Sequence, residues 1–275
     1  MRDAGRHGRA ELYFAQRGQR TVLHHQYATV PAQVVRPYYA PNDERAYVYL
    51  LTPTGGMLGG DRLDIHIVLE PGAQVCVTTA SATKVHPSPD FPAEQSLRID
   101  LGPGSSLEYL PEPTILFREA RWRQRTVVRR AADSRLLITE GWSAGRVARH
   151  EVFAFSTLDT SIEVYTAERL CLFDRMHIRP VNYPSQQLGL WAARPHLLTM
   201  YLLQTTHPSP PWLHTMQVEL ASAHALIGLS QLATPGFVAR VLADEDEAMS
   251  HAAHVLWRKI RTDLWGERWS PWRKL

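Results

Sequence analysis

Between about residues 20 and 180 the chain alternates apolar and polar residues with a period of two, and turn signals break the alternation at near-regular intervals. Leu63, Ile65, Ile67 and Leu69 alternate with Asp64, His66 and Glu70, while Leu97, Ile99 and Leu101 alternate with Arg98 and Asp100. Such a pattern suits strands with one buried face and excludes long helices there. The turns are residues 53–60, then Pro71-Gly72, Gly102-Pro103-Gly104 and Ala132-Asp133-Ser134. The last three recur about every 30 residues, each followed by an apolar strand at residues 75–79, 107–110 and 136–140. The pattern resembles a coil of repeating strand-turn-strand units, stacked so that neighbours bury one another's apolar faces. A β-sandwich of meandering hairpins gives nearly the same alternation, so both remain open from the pattern alone.

After Pro180 the character changes to mixed strand and helix. Pro208, Pro210 and Pro211 predict a break before a short helix from Trp212 to about Ala223, and residues 226–232 and 237–242 read as two further strands. The clearest helix spans residues 244–265, with Met249, Ala253, Leu256, Ile260 and Leu264 along one stripe. Its acidic start (Asp244, Glu245, Asp246, Glu247), basic finish (Arg258, Lys259, Arg261) and Gly266 complement the helix dipole and supply a C-cap.

Composition narrows the function classes. At 44% hydrophobic and 21% charged the 275-residue chain is an ordinary globular one, and its net charge of +3 gives only weak general attraction to phosphate or membrane surfaces. Cys76 and Cys171 lie far apart and form no metal-ligand or disulfide pattern, which fits a reducing compartment. The first 20 residues carry no apolar run suited to a signal peptide, and no stretch approaches a membrane span, so the expected setting is soluble and cytoplasmic.

The glycine-rich stretch Thr54-Gly55-Gly56-Met57-Leu58-Gly59-Gly60-Asp61 raises the question of a phosphate cradle. Its spacing matches neither the P-loop nor the dinucleotide fingerprint, and its glycines open a strand at Leu63 where those motifs open a helix. The pattern favours a tight crossover or bulge. There is no nucleophile elbow and no H-E-x-x-H, and His24-His25 and the helical pair His251 and His254 read as solvated surface rather than a metal site. The basic run of residues 117–130, which contains Trp122, has the composition of a nucleic-acid binder. Its alternation, with Gln124, Thr126 and Val128 on one side and Arg123, Arg125 and Val127 on the other, fits a strand with an exposed face better.

Five carboxylates lie in or beside apolar segments: Asp61, Glu108, Glu140, Glu151 and Asp174. A buried carboxylate is costly unless paired, so each is expected to meet an arginine, with Arg146, Arg149 and Arg175 the nearest in sequence, or to line a wet cavity.

Three blocks in order resemble the urease accessory protein family UreD (UreH): residues 49–63 through the glycine-rich stretch, residues 78–85 (Thr-Thr-Ala-Ser-Ala-Thr-Lys-Val) and residues 107–117 (Leu-Glu-Tyr-Leu-Pro-Glu-Pro-Thr-Ile-Leu-Phe). Gly55, Gly56, Gly59, Gly60, Thr79, Thr83, Lys84 and Glu108 fall within them, and Arg146 with Glu151 and Asp174-Arg175 extend the resemblance. So does the end of the chain from Trp257 to Trp272. Departures are small: Pro31-Ala32 replaces the usual Pro-Leu, and His150 stands where a glycine before Glu151 is common.

The resemblance implies a mainly β fold, a β-helix-like two-layer stack of strands with a few helices near the C-terminus, in one UreD-type domain over 1–275, β-rich over 1–180 and mixed over 181–275, with no catalytic chemistry and no permanently bound cofactor. The implied partners are apo-urease, UreF and, through UreF, the GTPase UreG; neither nucleic acid nor a membrane is expected. The implied role is a scaffold with an internal route for transient Ni²⁺. Spaced carboxylates can pass a borderline cation along, where a closed His/Cys site would trap it. Asp61, Glu140 and Asp174 are the expected lining, the first and last by family position and Glu140 by its strand. Two competing readings are an enzyme using the glycine-rich loop on a small molecule, for which no nucleophile or cofactor motif is visible, and a structural β-solenoid binding module.

Overall fold

The chain's period-two segments become seventeen strands in a computed structural model that describes residues 6–41, 43–182, 191–222 and 224–269. In chain order these are β1 (His7–Arg17), β2 (Arg20–Thr29), β3 (Gln33–Val34), β4 (Ala46–Leu51), β5 (Arg62–Leu69), β6 (Gln74–Thr79), β7 (Thr83–Val85), β8 (Ala93–Leu101) and β9 (Ser106–Leu110). They continue with β10 (Thr114–Leu116), β11 (Arg121–Arg130), β12 (Arg135–Ser143), β13 (Thr157–Thr166), β14 (Arg169–Ile178), β15 (His196–Leu203), β16 (Ala225–Gln231) and β17 (Gly236–Ala243).

Two sheets result. The first runs β14-β13-β11-β8-β5-β1-β2, with β1, β5, β8, β11 and β13 parallel and an antiparallel strand at each edge. The second runs β16-β17-β15-β12-β9-β6-β4-β3, with β4, β6, β9 and β12 parallel and a small β7-β10 ladder joined to β12. Parallel neighbours separate the two architectures that the alternation left open, because a meander of hairpins would pair antiparallel. The chain passes from the first sheet to the second at each of the three recurring turns, and these turns stack: Gly102 N–H donates to the Leu69 carbonyl at 2.8 Å and Ala131 N–H to the Leu101 carbonyl at 2.9 Å.

The sheets enclose a core containing Phe14, Met57, Trp122, Val128, Trp142 and Ile162, all 1% exposed or less. The far side of the second sheet is covered by α1 (Pro210–Leu220) and α2 (Asp246–Lys259), which bury Met216, Met249, Leu256 and Trp257 against Leu198, Met200 and Leu202. Strands covered on both faces read as continuous apolar runs, and β15 is buried at all eight positions. The outer face of the first sheet is open, and there β11 alternates exposed Arg123, Arg125 and Arg129 with buried Gln124, Thr126 and Val128, as read from its sequence.

The helices differ from expectation at their ends. Pro210 and Pro211 begin α1 rather than preceding it, because proline's missing N–H is no loss in a first turn and Ser209 accepts the Trp212 N–H as N-cap. The expected helix limit at Ala223 lies outside the described residues, as does the tail to Trp272 beyond residue 269. The long helix is regular only over residues 246–259 and closes with a wider π turn at Ile260–Leu264 before Gly266 at φ +64°.

Candidate functional site

Glu140 points inward from β12 between Ile138 and Trp142, where strand alternation aims it at the first sheet. A polar patch meets it. Gln124 donates to its Oε1 at 2.8 Å, and the buried hydroxyls of Thr126 and Thr160 stand beside it with no full hydrogen bond of their own. Burial raises its pKa to about 7, with the charge of Asp174 adding to the effect and the Gln124 amide opposing it. Among the described residues no arginine or lysine pairs with it.

Asp174 on β14 sits across from it. The Tyr201 hydroxyl donates to its Oδ2 at 2.6 Å and Arg240 closes an ion pair on the same oxygen. Glu140, Asp174, Tyr201, Arg240, Trp142 and Trp191 line one cavity of about 480 Å³. Glu140 also borders an inner cavity of about 30 Å³ with Gln124, Thr79, Thr83 and Glu112.

The remaining motif residues hold the glycine-rich loop against β7. Met57 N–H donates to the Lys84 carbonyl at 2.7 Å and His86 N–H to the Met57 carbonyl at 2.9 Å. Gly56 has φ +137°, and a Cβ there would lie 2.4 Å from the Lys84 carbonyl oxygen, so only glycine fits. Asp61, 8% exposed, closes the loop by accepting the N–H groups of Leu58 and Arg6, each at 2.8 Å. Its carboxylate is thus committed to shaping the backbone. Gly59 and Gly60 form the same turn, while Gly55, Lys84 and Arg146 line an open cleft of about 630 Å³ with Glu112, His196 and Asp246.

The expected pairings are partly corrected. Arg146 does grip Glu151, whose carboxylate also accepts the Arg118 N–H at 2.7 Å and is held below its usual pKa chiefly by the Arg146 hydrogen bonds. His150, which precedes Glu151, adopts φ +55°. Arg175 pairs instead with Asp159 at 3.4 Å, and Asp174 takes Arg240 from β17. Arg149 makes no ion pair with the described residues.

Glu108 is fully buried on the helix side of the second sheet. Arg261 donates to it at 2.7 and 3.0 Å, the Trp257 indole at 2.6 Å, and Arg45 stands 3.4 Å away. Burial disfavours its charge, but the two arginines prevail and its pKa is lowered. Its partners come from up to 153 residues away, so no local spacing announces them.

The described residues contain no group of three His, Cys, Asp or Glu placed to hold a metal, and no helix among them is long and apolar enough to cross a membrane. Both cysteines are free thiols. Among the described residues, Glu140 and Asp174 are two carboxylates that share one cavity.

Residues 6–274 match the family model of the UreD urease accessory protein. The chain is 32% identical over 273 residues to the urease accessory protein UreD of Deinococcus radiodurans, covering 95% of this chain and 92% of that protein. It is 31% identical to the UreD of Lachnoclostridium phytofermentans, covering 92% and 93%, and 31% identical to that of Klebsiella aerogenes, covering 94% and 92%. The chain belongs to the UreD family of urease accessory proteins.

Proposed function

We propose that this protein is a non-catalytic scaffold of urease maturation that binds apo-urease and UreF, meets UreG through UreF, and lets nickel pass through its interior. The ion is cargo, carried transiently in the cytoplasm. The observation that carries this reading is the placement of Glu140 and Asp174 on one partly open cavity, close enough that the charge of Asp174 adds to the raised pKa of Glu140. Two carboxylates that repel each other when both are ionised gain most from a passing divalent cation. Neither has the ring of thiolates or imidazoles that would hold Ni²⁺ tightly, so release is built into the chemistry. Asp61 serves the same path indirectly, by fixing the loop that packs on β7.

The test is capture and metallation together. A tagged chain expressed with apo-urease and UreF is expected to retain both on an affinity resin, and urease made without the chain is expected to be nickel-poor. Failure to retain either protein, with full urease metallation in its absence, would refute the reading.

A further inference from the structure

The second sheet has an opening. β12 pairs with β9 only as far as Ile138 opposite Tyr109, and with β10 only from Trp142 opposite Thr114. Residues 139–141 therefore face residues 110–113 with no ladder between them. The facing segment is Leu110-Pro111-Glu112-Pro113, whose two prolines have no N–H to donate, so the ladder lapses there with little loss of hydrogen bonding. Thr79 Oγ1 accepts the Glu112 N–H at 2.8 Å and the Pro113 carbonyl accepts the Thr83 N–H at 3.1 Å, which fixes the frame from the β6 side. Gly141 completes it: a Cβ there would come within 3.3 Å of Pro113, so any side chain at this position narrows the gap.

Both sides of this opening are hollow. Inside lies the cavity of about 30 Å³ lined by Glu140, with room for about one or two water-sized groups and too small for an ion with a full hydration shell. Outside lie two spaces, and Glu112 borders both as well as the inner cavity. One is the open cleft of about 630 Å³, whose rim carries the exposed cations Lys84 and Arg149. The other, about 260 Å³, lies under α2 and is lined by Thr139, Met200, Met249, Ser250 and His254, with no lysine or arginine.

We infer that this proline-framed opening is the point where a divalent cation crosses the second sheet, with Glu140 as the inner carboxylate, Glu112 as the outer one, and the space under α2 as the way on. The inference rests on the passage proposed above and adds its direction. Charge favours the space under α2: the open cleft is lined by Lys84, Arg146 and Arg149 against Glu112 and Asp246, whereas the other holds Glu112 and no lysine or arginine. The thioether, imidazole and hydroxyl groups under α2 offer weak, replaceable ligands of the kind a borderline ion accepts.

The experiment uses the full chain co-expressed with urease and the other accessory proteins, and reads nickel per purified urease by mass spectrometry alongside assembly by gel filtration. Glu112→Gln is expected to lower urease nickel several-fold with assembly unchanged, and Glu112→Asp to restore part of it. Ser250→Cys and Ala148→Cys place exposed thiols in the two outer spaces. A bulky thiol reagent on the first is expected to lower nickel transfer and on the second to leave it unchanged. Normal nickel with Glu112→Gln, or block at residue 148 and not at 250, overturns the inference. If Glu140→Gln lowers nickel while Glu112→Gln does not, the crossing point alone is wrong; if neither does, the passage falls with it.

Discussion

Arg261 reaches from the π turn at the end of α2 to place two nitrogens on the carboxylate of Glu108, at 2.7 and 3.0 Å, with both side chains fully excluded from solvent. Trp257, four residues earlier on the same helix face, donates to the same carboxylate. The C-terminal helix is thereby fastened to the middle of the parallel stack. Removing one partner strands a buried charge, so Arg261→Ala should destabilise the protein by about 3–5 kcal/mol, while a joint Glu108→Gln, Arg261→Met replacement should cost less than either single change. Urea unfolding of the four proteins checks this; equal costs for single and double variants would contradict it.

Glu140 gives a pH dependence with a definite sign. Its pKa is about 7 in the fold against an ordinary value of 4.5, so between those values the folded state holds the proton more firmly than the unfolded chain. The unfolded state binds fewer protons in that window, and stability contributed by this group is present below pH 4.5 and lost as pH rises through 7. Glu140→Gln should therefore be more stable than the parent at pH 8 by about 3 kcal/mol at most, with the gain vanishing near pH 4. Denaturant midpoints at the two pH values measure it, and a gain confined to acid pH would reverse the account.

The turn around Glu151 separates a backbone that needs glycine from one that merely tolerates its residue. A Cβ on Gly145, at φ +141°, would stand 2.1 Å from the Glu151 carbonyl oxygen, so Gly145→Ala should cost about 2 kcal/mol or more. His150, at φ +55°, lies in the left-handed region at a strain of about 1 kcal/mol, which the added freedom of an unfolded glycine nearly cancels. His150→Gly should thus shift stability by less than about 0.5 kcal/mol. Thermal unfolding distinguishes the two.

The exposed arginines of β11 are matched across strands, Arg123 with Glu94 at 2.7 Å and Arg125 with Glu163 at 3.1 Å. Such surface pairs contribute little, and Arg125→Ser should change unfolding free energy by no more than about 0.5 kcal/mol. A larger loss, measured by urea denaturation, would mean that this face does more for the fold than its exposure implies.

The coil architecture was legible because burial on one face writes itself as alternation: the row Leu63, Ile65, Ile67 and Leu69 falls on β5 as expected, and the three turns sit where the strands cross between sheets. Parallel pairing was not written there, because strand direction depends on connections rather than on any residue's preference. The site divides the same way. Glu140 stood out as a charge in an apolar strand, and Arg146 lay five residues from Glu151. Arg240 for Asp174, Arg261 for Glu108 and Glu112 at the opening became visible only once distant segments were adjacent. The one local sign of the last was Glu112 set between two prolines in a strand-rich region.

On the proposed passage, Glu140 and Asp174 carry the metal. Urease purified from cells in which this chain bears Glu140→Ala and Asp174→Ala, with the accessory complex shown intact by gel filtration, should hold several-fold less nickel than urease matured by the parent chain. Nickel content equal to that of the parent, with assembly unaltered, would contradict the claim.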